Sequence, residues 1–140
     1  TKKIPCVYLQ NSGLGNAINP LVSVANKKVY SIPLILLIGW RGSPYASRDE
    51  PQHEQKGKIT REILKLLGIK FTIIRKSEDI RKIGKIIKTS QREKNPVAIL
   101  VEKGVLSDQA KEKHNSLRFN NDIKFFRSFI FKCRVLCNKS

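Results

Sequence analysis

Apolar residues along this chain fall in short unbroken blocks, separated by longer stretches in which they recur every three or four positions. The first block, Pro5 to Leu9, is β-branched and aromatic. It runs into Gln10-Asn11-Ser12 and the glycines Gly13 and Gly15, which predicts a buried strand entering a loop. A helix should follow, with Leu21, Val24 and Ala25 as its inward stripe. Pro20 suits a first helical turn capped by Asn19, or else kinks a helix already running from Gly15. Pro33 to Gly39 shows no alternation at all, the pattern of a central parallel strand covered on both faces. The segment Trp40 to Pro51 is then a loop at that strand's carboxyl end.

From Glu54 to Leu67 the positions Ile59, Ile63, Leu66 and Leu67 recur at helical spacing, Gly68 suits the residue after the helix, and Gly57 weakens its first turns. Phe71 to Ile74 reads as a further strand. Ser77 then caps a helix with Glu78 and Asp79 in its first turn and Ile80, Ile83, Ile86 and Ile87 on its buried face. Asn95-Pro96 ends that helix, and Val97 to Val101 is the last buried strand. The sum is β-α-β-α-β-α-β, a three-layer, doubly wound, mostly parallel α/β sheet. After Ser107 the character changes. Five of the six phenylalanines (Phe119, Phe125, Phe126, Phe129, Phe131) lie among scattered Lys and Arg, with no strand or turn logic to join them to the sheet. Residues 1–106 therefore read as one domain. Residues 107–140 read as a tail: a docking helix, the start of a further domain, or a frame-shifted end.

With 140 residues and 40% hydrophobic content, the chain supports one compact core. It has no apolar run of ~18 residues and no charged-then-apolar leader, so a cytoplasmic location is expected. It lacks methionine and begins at Thr1, which reads as a fragment or trimmed product. Cys6, Cys133 and Cys137 fit reduced packing thiols better than a disulfide framework or a metal site.

The net charge of +17 raises the question of nucleic acid. Between Lys56 and Lys94, however, 13 basic and 4 acidic residues alternate with isoleucine and leucine, as on the solvated faces of amphipathic helices. No RNP-type strand or zinc-finger spacing accompanies them, so a nucleic-acid partner is not expected.

Gly13 and Gly15, between a strand and a helix start, allow close backbone approach to a ligand and favour anions. A dinucleotide fingerprint would need a third glycine where the chain has Ile18, and the Walker pattern is absent. In the second loop Arg41 offers a planar fork for phosphonate or carboxylate, and His53 is suited to acid–base work near neutrality. His114 has no supporting neighbours.

Three ordered motifs carry a family resemblance: Asn-Ser-Gly-Leu-Gly-Asn-Ala-Ile-Asn-Pro-Leu over 11–21, Tyr-Ser-Ile-Pro-Leu-Ile-Leu-Leu-Ile-Gly-Trp-Arg-Gly over 30–42, and Asp-Glu-Pro-Gln-His over 49–53. They resemble the pyrimidine-binding domain of the phosphonopyruvate decarboxylases, thiamin-diphosphate enzymes related to sulfopyruvate decarboxylase and more distantly to acetolactate synthase. The resemblance runs from about Pro5 to Leu106 and includes Pro-Val-Ala-Ile-Leu-Val-Glu-Lys-Gly over 96–104.

It implies a thiamin-diphosphate-binding fold without its first strands. It also implies attack of the thiamin ylide on the keto carbon of 3-phosphonopyruvate, giving phosphonoacetaldehyde and CO2 for phosphonate biosynthesis. The cofactor would lie between this domain and a diphosphate-binding domain of the same full-length chain or a partner subunit, within a homo-oligomer. Asn11, Ser12, Gly13, Leu14, Gly15 and Asn16 match the segment beside the aminopyrimidine. Gln52 and His53 match the segment approaching the reacting centre, as catalytic residues. Trp40 and Arg41 match the strand-end signature as substrate-binding residues, with Arg41 assigned to the phosphonate from its charge.

Two family features are missing. The glutamate that activates the cofactor belongs to a segment preceding anything that matches Pro5, and neither Glu50 nor Glu54 replaces it. The Gly-Asp-Gly motif that holds Mg²⁺ belongs to the diphosphate-binding domain, so no metal ligand is assigned here. Where the family has a Gly-Glu-Pro-Gly-like loop, this chain has Gly42-Ser43-Pro44-Tyr45-Ala46-Ser47. Other readings are a sulfopyruvate decarboxylase subunit, which differs in substrate headgroup, and a non-catalytic α/β binding module or inactive truncated product.

Overall fold

The computed structural model describes residues 4–46 and 49–105. Strands β1 (Cys6–Gln10), β2 (Ile35–Trp40), β3 (Lys70–Ile74) and β4 (Val97–Glu102) form one sheet in the order β1-β2-β4-β3, every neighbouring pair parallel. Parallel neighbours cannot be joined by tight turns, so helical crossovers connect them. These are α1 (Leu14–Pro20), α2 (Pro51–Leu66) and α3 (Arg81–Glu93). The doubly wound α/β fold expected from the pattern holds. The tail at 107–140, with Cys133, Cys137 and His114, lies outside the described residues, as does the expected boundary at 106.

Because successive strand residues point to opposite faces, β2 and β4 sort their side chains by parity. Leu36, Ile38 and Trp40 of β2 join Ala98 and Leu100 of β4, and this face packs with Leu14, Leu21, Leu64 and Ile69. Ile35, Leu37, Val97, Ile99 and Val101 occupy the opposite face and are also buried, with Ile83 of α3. Burial on both faces is what the unbroken apolar run from Pro33 to Gly39 encodes.

The outer strand β1 departs from the expectation of burial. Val7 is 42% and Tyr8 72% exposed, because β1 pairs only with β2 and α3 packs on β3 and β4.

The crossover after β1 carries both expected signs of Pro20. A short 3₁₀ turn, Asn11–Gly13, leads into α1, which includes Pro20, and the next five residues, Leu21–Ala25, widen into a π turn. Pro20 has no N–H to return to the preceding turn, so a local rearrangement follows it. In the wider turn Leu21 and Ala25 face the core, whereas Val24 rotates off the stripe and is 42% exposed.

Helix α2 is likewise turned from its expected face. Gly57, Thr60 and Leu64 are its buried positions, while Ile59 and Leu66 are exposed. The cause is backbone contact. A Cβ on Gly57 would overlap the Gly42 carbonyl, and one on Gly42, where φ is +65°, would overlap the His53 carbonyl. Gly57 is therefore the contact point of the helix and not a weak spot in it.

Gly68 (φ +65°) follows α2 as expected. At the start of α3, Asp79, and not Ser77, satisfies the free backbone donors. Its carboxylate accepts the N–H groups of Arg75 (3.0 Å) and Lys76 (3.3 Å) and pairs with Lys82 (2.6 Å).

The glycine contact predicts opposite outcomes for two alanine substitutions, read as shifts in the urea midpoint of unfolding. Gly57→Ala forces backbone apart and costs about 1–3 kcal/mol. Gly84→Ala fills open space on exposed α3 and gains about 0.5–1 kcal/mol. Asp79 gives a pH prediction. The hydrogen bond from Lys82, followed by the Arg75 N–H, lowers its pKa to about 2. A lowered carboxylate pKa adds stability above the unfolded value of about 4, and this is lost as pH falls through the folded value. Acid titrations of unfolding should show that loss between pH ~4 and ~2 in the wild type, and Asp79→Asn should flatten it.

Candidate functional site

The two glycine-containing segments meet at the carboxyl end of the sheet through one side chain. Asn11, 5% exposed, directly follows β1. Its Oδ1 accepts the N–H of Arg41 (3.2 Å), and its Nδ2 donates to the Arg41 carbonyl (2.9 Å) and to Thr60 Oγ1 (3.1 Å). Thr60 passes its own hydrogen to the Lys56 carbonyl (2.6 Å). The carboxamide thus pairs with the Arg41 peptide as a neighbouring strand would. It continues the β1–β2 ladder one step past Gln10 and ties that step to α2.

Beyond β2 the strand-end signature forms scaffold. Trp40 is 1% exposed, and its indole N–H donates to the Gly57 carbonyl (3.0 Å). The structure uses it as core, with no surface left to contact substrate. Arg41 grips Asp49 bidentately, Nε to Oδ2 at 2.7 Å and Nη2 to Oδ1 at 2.6 Å. The Gly42 N–H adds a bond to Asp49 Oδ2 (3.1 Å). These bonds, led by those of Arg41, hold the Asp49 carboxyl well below the usual carboxylate range. The fork read as a phosphonate ligand is filled on its Nε edge by a carboxylate of the same loop.

Helix α2 starts two residues after Asp49, with Glu50 extended (φ −61°, ψ 145°) as its cap residue and Pro51 in its first turn. The Glu50 carbonyl accepts the N–H groups of His53 (2.8 Å) and Glu54 (3.1 Å). Gln52 Nε2 donates to Glu50 Oε2 (2.7 Å), and His53 Nε2 lies 3.8 Å from the same oxygen. The other imidazole nitrogen of His53, Nδ1, is buried without a hydrogen-bond partner. An orphaned buried polar atom is uncommon in a native fold and marks His53 as incompletely satisfied by its own loop.

In the first segment, Leu14 is fully buried and belongs to the core, and Asn11 is the tie just described. Gly15 and Asn16 are exposed, Ser12 and Gly13 half-buried, and a Cβ at Gly15 would meet nothing within 4 Å. Ser12 Oγ donates to Gln10 Oε1 (3.1 Å). Helix α1 is seven residues long and continues directly from the 3₁₀ turn Asn11–Gly13. The segment thus presents small, open positions at the end of the sheet to which Asn11 also ties Arg41. Among the described residues no group of three or more His, Cys, Asp or Glu converges to hold a metal.

Sequence reasoning missed a second cluster at the same end of the sheet. Tyr45 stacks under the Arg75 guanidinium (3.8 Å to the ring centre), and its hydroxyl accepts from Arg61 Nη1 (2.7 Å). Ser43 donates to Glu102 (2.7 Å), which lies 3.6 Å from Arg75. These residues come from a loop, a helix and two strand ends, so no local motif announces them. A groove of about 590 Å³ lies elsewhere, along β3, lined by Lys65, Lys70, Phe71, Lys82, Lys85 and Arg92 among others. It contains none of the motif residues; Lys70 is the one lysine on the outer strand β3, and the other basic residues come from α2 and α3.

No family model matches the chain. Among curated proteins it is similar to the phosphonopyruvate decarboxylase of Streptomyces viridochromogenes, 40% identical over 74 residues that make up 53% of this chain and 18% of that protein. The phosphonopyruvate decarboxylase of Streptomyces hygroscopicus is 32% identical over 106 residues, 74% of this chain and 26% of that protein. The sulfopyruvate decarboxylase subunit alpha of Methanothermobacter thermautotrophicus is 32% identical over 103 residues, 71% of this chain and 59% of that subunit. The resemblance read from the motifs holds, and the chain spans less than two thirds of each relative's length.

The Asn11 tie is testable through stability. Asn11→Ala leaves the Arg41 N–H and carbonyl unpaired in a buried setting and takes from Thr60 Oγ1 the bond it accepts, and should cost about 1–3 kcal/mol. Ser12→Ala, which removes a part-buried bond to a neighbouring side chain, should stay within about 0.5 kcal/mol. Urea denaturation of the two variants against wild type makes the comparison.

Proposed function

We propose that this chain forms the pyrimidine-facing part of a cytoplasmic, thiamin-diphosphate-dependent 2-oxo acid decarboxylase that converts 3-phosphonopyruvate to phosphonoacetaldehyde and CO2. The observation that carries the reading is the convergence of the family-like motifs. The Asn11–Arg41 bonds bring the 11–16 segment and the start of α2 to one end of the sheet, where open α/β sheets bind ligands. In this reading Ser12, Gly13, Gly15 and Asn16 lie along the aminopyrimidine, and Leu14 and Asn11 hold that segment in place from beneath. Bound thiamin diphosphate supplies the electron sink for loss of CO2, and a diphosphate-binding domain in the full-length chain or a partner subunit holds its Mg²⁺.

The chain's own contribution is positional and protonic. Gln52 presents a carboxamide that both donates and accepts, and His53 can hold or move a proton at its imidazole nitrogens. Its Nδ1 is buried without a hydrogen-bond partner, and its Nε2 lies 3.8 Å from Glu50. A second reading, a sulfopyruvate decarboxylase subunit, is favoured by the relative of that name, of which this chain covers the largest share, 59%. Sulfonate and phosphonate are both tetrahedral oxyanions, so the two substrates make similar demands on this wall.

The test is reconstitution. The chain is mixed with a diphosphate-binding subunit, Mg²⁺ and thiamin diphosphate; cofactor retention is measured by equilibrium dialysis, and CO2 release from phosphonopyruvate and from sulfopyruvate is followed in parallel. Retention that depends on both proteins, with faster turnover of phosphonopyruvate, is the expected result. Faster turnover of sulfopyruvate supports the second reading. No retention with the partner present identifies a non-catalytic module or inactive product.

A further inference from the structure

We propose that Asp49 is a positioning residue whose clasp on Arg41 sets where helix α2 begins, and thereby where Gln52 and His53 point. The inference rests on the proposed role of those two residues at the reacting centre. Asp49 has an 8% exposed side chain and accepts four hydrogen bonds: two from the Arg41 guanidinium, one from the Gly42 N–H (3.1 Å) and one from the Glu50 N–H (3.0 Å). Its partners stand on both sides of the loop. Arg41 and Gly42 follow β2 directly, and Glu50 is the cap residue of α2. A planar fork on a carboxylate fixes distance and orientation together, which a single point charge does not. The loop between β2 and α2 is closed by this pair into a ring of set size.

Packing transmits the setting to His53. The His53 carbonyl lies where a Cβ on Gly42 would sit, and the Gly42 carbonyl lies where a Cβ on Gly57 would sit, so the first turns of α2 rest directly on the backbone that Asp49 holds. The His53 N–H is bonded to Glu50, the residue after the clasp. Loss of the Asp49 carboxylate frees the Glu50 amide and the Arg41 anchor together, and loss of the Arg41 fork leaves Asp49 tethered across the loop only through the Gly42 N–H.

The clasp and a headgroup role for Arg41 make opposite demands. As a phosphonate ligand, Arg41 contributes through its own charge and Asp49 only opposes it. As a clasp, the two residues are equivalent and their substitutions are non-additive.

The experiment compares Arg41→Lys, Asp49→Asn and the exchanged pair Arg41→Asp with Asp49→Arg. In the 140-residue chain, amide hydrogen exchange of residues 42–57 and the His53 imidazole NMR resonances are recorded. In the reconstituted assembly, kcat and KM for phosphonopyruvate are measured. Expected are an about tenfold or greater rise in exchange at 50–54 and a moved His53 resonance in both single variants, with partial restoration in the exchanged pair. Their kcat should fall about tenfold or more while KM changes little, the mark of misplacement.

Exchange and resonances unchanged in Asp49→Asn, or a KM raised about tenfold by Arg41→Lys alone, overturn the clasp. The exchange and resonance readouts need no turnover, so they decide the clasp even where reconstitution gives no activity. Circular dichroism on each variant separates a released loop from an unfolded chain, and a variant that unfolds is replaced by Asp49→Glu, which keeps the charge but should shift the same resonances.

Discussion

The carboxamide of Asn11 is the interaction on which the arrangement of this end of the molecule depends. A parallel sheet ends raggedly at its carboxyl edge, where strands diverge into loops and leave peptide groups unpaired. Asn11 supplies both a donor and an acceptor to the Arg41 peptide and so extends the β1–β2 ladder with a side chain. A second bond from the same nitrogen reaches Thr60 in the middle of α2. One residue therefore fixes strand, strand and helix relative to one another. An aspartate of the same shape would accept but not donate, and would bring a charge into a buried position.

Close backbone approach of α2 follows from that tie. Thr60 is one turn along from Gly57, and with Thr60 bonded to Asn11 the helix lies so near the strand end that only glycine fits at positions 42 and 57. Trp40 then closes the gap from the core side by donating to the Gly57 carbonyl. Asp49 closes it from the loop side. The result is a floor that combines hydrogen bonds to backbone with the Arg41–Asp49 and Asn11–Thr60 side-chain pairs, a construction suited to holding side chains that must not move far.

Much of the fold was legible because burial on two faces leaves a plain mark. The unbroken run before Gly39 and the run after Pro96 became the adjacent central strands β2 and β4. Helix faces were read less well, for reasons that lie in tertiary contact. Ile59 and Leu66 have the right spacing, yet the Gly42–Gly57 contact rotates α2 so that Thr60 and Leu64 face inward instead. Val24 was misplaced because the stripe assumed α-helical spacing where Pro20 induces a wider turn. At the start of α3 a serine preceded an acidic pair, and the usual cap preference favoured it; the charge on Asp79, supported by Lys82, won the backbone donors. The site loops were recognised as a pair by motif. Which side chains turn outward depended on Asn11, Trp40 and Asp49 finding partners 30, 17 and 8 residues away, which no local pattern encodes.

Those partners also change what a family-like motif means. Within the 40–53 segment the residues with the strongest chemical character, an indole and a guanidinium, are used to build, and they face the core and a carboxylate respectively. The side chains left with unmet capacity or open surroundings are the modest ones: Ser12, Gly15, Asn16, Gln52 and one nitrogen of His53. The large charged residue attracts attention in the sequence because its chemistry is specific, and that same specificity makes Arg41 an effective lock for an internal carboxylate, since a bidentate pair is satisfied in one geometry only.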